Sequence, residues 1–286
     1  MHLLAQELLN GLVLGSIYAL VALGLALVYG TMGIANFAHG HLYMLGAYAA
    51  FFAITTLHAP YWPAMLLAAC ALAAVGIALE RVVFRPLRDG PEVNVIIAAI
   101  GVLFFLEAVA RLAFGSDFRV LPTPYDHVVN AFGLEATQQQ LVVIAAAAVL
   151  VVALYLFLKR TLLGATIEAV AQNRTGASLV GIDVNRTGAL VFAISAAMAA
   201  AAATLIASID LIFPEMGFVV LLKAFAIVVL GGMGSIPGAI VGAFVLAFAE
   251  SLSSAYVSTS YQDAIAFGLL VVILAFKPTG LFTRRT

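Results

Sequence analysis

Long apolar runs dominate the chain, and short polar stretches separate them. Runs that stay apolar for about 20 residues, without the alternation of barrel strands, are typical of helices that cross a bilayer. The pattern predicts an all-α fold: a single transmembrane domain over residues 1–286, with eight or nine transmembrane helices. The nine predicted crossings cover residues 10–30, 38–57, 61–82, 93–114, 139–159, 188–209, 217–231, 238–253 and 260–277.

The crossings at 217–231 and 238–253 are the weakest of the nine. Each has about 15 residues, which make a helix of about 22 Å, whereas the apolar core of a bilayer is about 30 Å thick. We interpret them as two half-helices that meet at the glycine-rich segment Leu230–Gly238. Broken helices are tolerated where they are buried in protein or line a cavity, so the number of full spans is eight or nine.

Composition supports a membrane protein and excludes several other classes. The chain is 64% hydrophobic and 9% charged, whereas soluble domains have about 25% charged residues. A net charge of −1 provides no basic field for nucleic acid. Cys70 is the only cysteine, so no intrachain disulfide is possible. The first apolar run is too long for a cleaved signal peptide, and we expect it to be retained as the first span.

The loop charges predict an orientation. Arg111 and Arg119 fall in loops on one side, and ten basic residues fall on the other. The positive-inside rule therefore places the C-terminus and the 160–187 loop in the cytoplasm, the N-terminus outside, and the longest external loop at 115–138. The ten residues are Arg81, Arg85, Arg88, Lys159, Arg160, Arg174, Arg186, Lys277, Arg284 and Arg285.

Motifs for catalysis and for metal binding are absent from the sequence. None of the three lysines is followed by Ser or Thr, so there is no phosphate-binding P-loop. There is no HExxH motif and no Gly-x-Ser-x-Gly motif. His39 and His41 are two residues apart and do not share a helix face. We therefore expect a transport subunit rather than an enzyme, with no metal or cofactor bound by this chain.

Two groups of polar residues lie within or beside the spans. Asn36, His39 and Gly40 stand where the second span begins, and they either pack and cap helices or line a path. Glu107, Lys223 and Glu250 fall inside spans, where a charge costs at least a few kcal/mol and usually pairs or faces water. One lysine between two carboxylates predicts a buried ion network, with either a structural role or a role in the pathway.

The segment Gly164–Gly188 is polar, yet it keeps helix-forming residues between its glycines. We predict that Gly164 ends a span, that Thr166–Gln172 forms a short helix, and that Asn173–Gly176 breaks it. A second helical turn then runs to Gly181. Ala169 and Ala171 leave little side-chain bulk, so the two short helices make a compact knob that fits a partner's cleft; the alternative is an ordinary surface helix.

A family resemblance then becomes specific. The segment GATIEAVAQNRTGASLVGIDVNR is similar to the EAA loop of ABC importer permeases, which docks on the ATPase subunit. Glu168, Ala169 and Gly176 match that motif, and Val170 departs from it. ANFAHGHLYMLGAY, LLKAFAIVVLGGMGSIPGAIVGAF, AESLSSAYVSTSYQDAIAF and KPTGLF resemble the branched-chain amino acid ABC permease family, with its LivH-type membrane subunits. His41 stands where that family commonly has an acidic residue.

The resemblance implies an importer of Leu, Ile and Val in the bacterial inner membrane. Its partners would be a second, homologous permease, two cytoplasmic ATPases that bind ATP and Mg, and an external substrate-binding protein. The residues implied in ATPase coupling are Glu168, Ala169, Ala171, Gly176 and Gly181. The alternatives are a permease for urea or short amides, an ion-driven secondary transporter, and a membrane scaffold.

Overall fold

The computed structural model describes residues 2–131, 134–277 and 280–282, and the chain in these ranges is mostly helical. A π-helical segment, Glu80–Phe84, joins α3 to α4, and a 3-10 turn, Thr259–Tyr261, precedes α12. The α-helices are α1 His2–Met32, α2 His39–Thr55, α3 Tyr61–Leu79, α4 Arg85–Leu87, α5 Glu92–Phe114, α6 Gln138–Arg160, α7 Leu162–Gln172, α8 Arg174–Leu179, α9 Val184–Ile206, α10 Met216–Gly231, α11 Ile236–Tyr256 and α12 Gln262–Phe276.

Within those ranges, six helices are long and apolar enough to cross a membrane: Leu3–Met32, Tyr61–Leu87, Glu92–Phe114, Gln138–Arg160, Val184–Ile206 and Ile236–Tyr256. The other predicted crossings fall on the shorter helices α2, α10 and α12, of 17, 16 and 15 residues. The predicted count of eight or nine spans is therefore not confirmed.

The prediction of a half-helix at 238–253 is wrong, because α11 has 21 residues. The apolar run in the sequence is shorter than the helix that contains it. Ser235 caps the helix by accepting a hydrogen bond from the Gly238 N–H, and the helix continues through Glu250, Ser251 and Ser253, whose side chains are buried and hydrogen-bonded. Buried polar side chains that have hydrogen-bond partners are compatible with a continuous helix.

The predicted external loop at 115–138 departs from an all-α fold. Two short strands, β1 Val128–Ala131 and β2 Leu134–Thr137, pair antiparallel in this loop. Thr137 then begins α6 with a capping box, because its side chain accepts from the Gln140 N–H while the Gln140 side chain accepts from the Thr137 N–H.

Helix α1 is the centre of the fold and packs against α6, α9, α10 and α11. It is hydrophobic on all sides, as expected of a buried helix. Its glycines allow α11 to approach closely: a Cβ on Gly15 would lie 2.4 Å from Phe244 Cδ1, and one on Gly11 would lie 2.5 Å from Phe248 Cδ1.

Helix α2 begins deep inside the protein. The His39 ring Nε2 lies 2.9 Å from the Val21 carbonyl oxygen, about 16 Å along α1 from its last residue, Met32. The short helix α10 begins against the start of α2, where a Cβ on Gly40 would lie 2.0 Å from the Gly217 carbonyl oxygen. The two short helices therefore meet at their N-terminal ends through glycine backbone.

Candidate functional site

The polar segment after α6 folds as two short helices, α7 and α8, joined at Asn173, and this confirms the predicted knob. Thr161 caps α7 by accepting from the Gly164 N–H at 3.0 Å. Asn173 caps α8 by accepting from the Gly176 N–H at 2.8 Å. Gly181, at φ +87°, follows the end of α8 in the left-handed region that favours glycine. Residues 162–181 are called the coupling segment below, after the role that the family resemblance implies.

Two predicted glycine roles in this segment are wrong. Gly164 does not end α6, which stops at Arg160; it lies in the first turn of α7. A Cβ there would come 2.3 Å from the Leu158 carbonyl oxygen, so this glycine allows α7 to fold back against α6. Gly176 lies within α8 and does not form the break, because Asn173 alone separates the two helices.

The two alanines are not the outermost residues of the coupling segment. Ala169 is half-buried and packs against the hydrophobic core, and Ala171 is half-buried and lines a cavity. The large apolar residues that the coupling segment exposes are Leu162, Leu163, Leu179 and Val180, with exposures of 87%, 52%, 82% and 77%. Sequence reasoning missed these four. Their positions could have indicated them, since each lies within two residues of Thr161 or Gly181, where the pair of helices begins and ends.

Arg174 attaches the coupling segment to α1, a role that the sequence did not indicate. Its guanidinium donates to the Met32 carbonyl oxygen at 3.0 Å, which satisfies an orphan acceptor at the end of α1. Burial of the guanidinium, followed by the nearby charge of Arg88, lowers the pKa of Arg174 from its ordinary value. Glu168, in turn, forms an ion pair with Lys159 at the end of α6.

The predicted pairing of Lys223 is confirmed for Glu250. Lys223 Nζ lies 3.0 Å from Glu250 Oε2, and the two side chains are 10% and 3% exposed. The Tyr18 hydroxyl donates to the same carboxylate oxygen at 2.7 Å and accepts from Lys223 at 3.0 Å. This triad joins α1, α10 and α11. Tyr18 was not among the predicted members, because it lies in the first apolar run.

Glu107 does not belong to that triad, and the prediction of one lysine between two carboxylates is wrong in this respect. Glu107 Oε1 accepts from Arg111 at 2.7 Å, and Glu107 Oε2 lies 3.3 Å from His41 Nε2. Arg111 also contacts Glu215 at 2.7 Å. An arginine one helical turn away on α5 is a nearer partner than a lysine on α10.

Asn36, His39 and Gly40 lie at the deep start of α2, all buried. His39 Nε2 donates to the Val21 carbonyl oxygen, and the Ser195 hydroxyl lies 3.3 Å from its Nδ1, so the imidazole holds α1, α2 and α9 together. Asn36 Oδ1 accepts from the Ala38 N–H at 3.1 Å. Asn36 Nδ2 has no hydrogen-bond partner within the described ranges.

The candidate residues therefore occupy separate places along α1. Arg174 contacts Met32 at one end, His39 contacts Val21, and Lys223 contacts Tyr18, about 21 Å along the helix from Met32. Among the described residues, no cluster of three or more His, Cys, Asp or Glu side chains has the geometry to hold a metal ion. Helix α1 is thus in contact with all three groups of candidate residues.

The family model for the branched-chain amino acid transport system permease component matches residues 7–274. The chain belongs to this permease family. It is 40% identical to the high-affinity branched-chain amino acid transport system permease protein BraD of Pseudomonas aeruginosa, over 98% of this chain and 95% of that protein. LivH of Escherichia coli K12, described in the same words, is also 40% identical over the same shares.

Two further comparisons found more distant similarities. LivM of Escherichia coli K12, another high-affinity branched-chain amino acid transport system permease protein, is 29% identical over 93% of this chain and 67% of that protein. The solved structure of PsaBC from Streptococcus pneumoniae in complex with Fab aligns with 96% of this chain and 91% of that chain, at a TM-score of 0.50 and 12% identity. The second likeness concerns the fold alone.

Proposed function

We propose that this permease is the membrane subunit of an ATP-binding cassette importer for branched-chain amino acids. The observation that carries the proposal is the coupling segment: two short helices, tied to α1, that expose four large apolar residues. Large exposed apolar side chains on a polar loop suit a protein contact, and these four residues are called the exposed apolar patch below. The relatives BraD and LivH, at 40% identity, supply the substrate class.

The partner at this patch is a cytoplasmic ATPase, with ATP and Mg bound by that partner. The chain carries no P-loop, so another subunit has to supply the energy. When the ATPases close, they move α7 and α8, and the contact of Arg174 with Met32 transmits the movement to α1. Because α1 packs against α6, α9, α10 and α11, a tilt of α1 shifts helices on every side of it.

The path runs beside the deep start of α2. Asn36 lies there with an unused amide nitrogen, and α2 and α10 present their N-terminal ends, which favour negative charge. A carboxylate of the substrate suits both features. Substrate selection falls mainly to an external binding protein, and the second permease is a homologue of the LivM kind. The assembly sits in the bacterial inner membrane with the coupling segment inside.

The test places a charge on the exposed apolar patch. Leu179→Asp and Val180→Asp should abolish co-purification of the ATPase and uptake of labelled leucine, because a carboxylate cannot be buried unpaired in an apolar contact. Leu57→Asp is the matched control, because Leu57 is 69% exposed and lies just beyond the far end of α2. Retention of the ATPase and of leucine uptake by both patch variants would refute the coupling role.

A further inference from the structure

A cavity of about 640 Å³ adjoins the coupling segment and has no role in the proposed transport cycle. It lies over the last turns of α1, between α6 and the start of α11, and α7 forms one wall. Most of its lining is apolar, with Leu27, Leu158, Ile167 and Ile240 among the contributors. Its size falls within the range of about 300–1,000 Å³ that is typical of ligand sites.

Two opposite charges lie side by side on this cavity. Lys159 and Glu168 both line it and form an ion pair with each other. The Lys159 side chain is 50% exposed and the Glu168 side chain is 39% exposed. Ser235 and the first turn of α11 also line it, but the Ser235 hydroxyl already accepts from the Gly238 N–H and Pro237 has no N–H, so the charged groups there are the lysine and the carboxylate. A lysine suits a phosphate, and the neighbouring carboxylate suits an ammonium group.

Helix α6, which forms one side of the cavity, also carries exposed apolar residues. Val149 and Val152, on the same helix as Lys159, are 66% and 55% exposed in a candidate membrane span. Tyr155 lines the cavity and is half exposed one turn before Lys159, in the position of an interfacial aromatic residue. These apolar side chains suit contact with an acyl chain, while the headgroup stays beside Lys159 and Glu168.

We propose that this cavity binds a zwitterionic phospholipid whose headgroup carries a primary amine. The phosphate would lie beside Lys159, the ammonium beside Glu168, and an acyl chain among Leu27, Ile167 and Ile240. A free amino acid also has both charges, but it would leave most of a 640 Å³ apolar cavity empty. An anionic lipid would satisfy Lys159 and meet repulsion from Glu168.

Binding is tested on the purified full-length chain without its partners, so failure of the ATPase proposal leaves the result untouched. The delipidated chain in detergent is mixed with dioleoyl phosphatidylethanolamine, phosphatidylcholine, phosphatidylglycerol or free leucine. Native mass spectrometry counts retained lipid, and thermal unfolding reports stabilisation. Phosphatidylethanolamine should be retained and should raise the midpoint by a few degrees, because a ligand bound to the folded state stabilises it.

The variants separate the headgroup contact from the cavity. Glu168→Gln should remove the preference for phosphatidylethanolamine over phosphatidylcholine, a loss of about tenfold for one charge-assisted hydrogen bond. Ile240→Trp should narrow the cavity and reduce the retention of lipid there. Leu66→Trp is the matched control, because Leu66 is 61% exposed on α3, in another candidate membrane span, and does not line the cavity; this variant should bind as the unmodified chain does.

Three results would overturn the proposal. The first is equal stabilisation of the unmodified chain by phosphatidylethanolamine and phosphatidylcholine. The second is undiminished lipid retention by Ile240→Trp. The third is stabilisation by free leucine without lipid retention, which would assign the cavity to an amino acid instead.

Discussion

Replacement of Lys223 by Met tests the buried triad most directly. The change keeps the length of the side chain and leaves the Glu250 carboxylate, 2% exposed, with the Tyr18 hydroxyl but without its cation. Removal of one partner of a buried ion pair costs about 3–5 kcal/mol. An unfolding entropy of about 2.1 cal/mol/K per residue, over 286 residues, converts this cost into a fall of about 5–8 °C in the unfolding midpoint.

The assay is thermal unfolding of the purified chain in detergent. Addition of Glu250→Gln to Lys223→Met should recover at least half of the loss, because the neutral amide no longer needs a cation. Lys159→Met is the matched control: its partner Glu168 is 39% exposed, and exposed pairs contribute about 0–1 kcal/mol. If Lys223→Met loses no more than this control, or if the double variant is no more stable than the single one, the triad does not stabilise the fold.

Two further predictions concern packing and orientation. Gly40→Ala should lower the unfolding midpoint by several degrees, because its Cβ would lie 2.0 Å from a backbone oxygen, whereas Gly101→Ala, with nothing within 4 Å, should not; equal midpoints would show that α2 and α10 do not meet closely. In a Cys70→Ala background, a membrane-impermeant maleimide should label Asp126→Cys in intact cells and Thr175→Cys only after lysis, and labelling of residue 175 from outside would reverse the proposed topology.

Hydrophobic pattern alone determined the membrane class and most helix positions. Continuous apolar runs of this length have few alternatives in a bilayer, since every backbone group has to be satisfied within the helix. The two short helices of the coupling segment were also predictable, because Asn173 and Gly181 are residue types that favour helix ends. The need of Lys223 for a buried carboxylate partner followed from the cost of charge in an apolar interior.

What the sequence left open depended on which surfaces meet. Pattern does not say which side of a short helix is covered, so Ala169 and Ala171 were assigned outward although both are half-buried, and Leu179 was overlooked although it is 82% exposed. The hydrophobic pattern also does not show which of two possible partners a charged residue contacts. In the tertiary structure, Glu107 pairs with Arg111 and Glu250 pairs with Lys223.

The cavity between α6 and α11 could not be predicted from the sequence, because residues from distant parts of the chain line it. Lys159 and Glu168 are nine residues apart in sequence, and the fold brings Ser235 and Ile240 to the same space. A cavity exists because large side chains on several helices stop short of one another, and that depends on crossing angles and depths which no local run of residues records. The sequence thus determined what kind of molecule this is, and packing around α1 decided where its charges, surfaces and open volume lie.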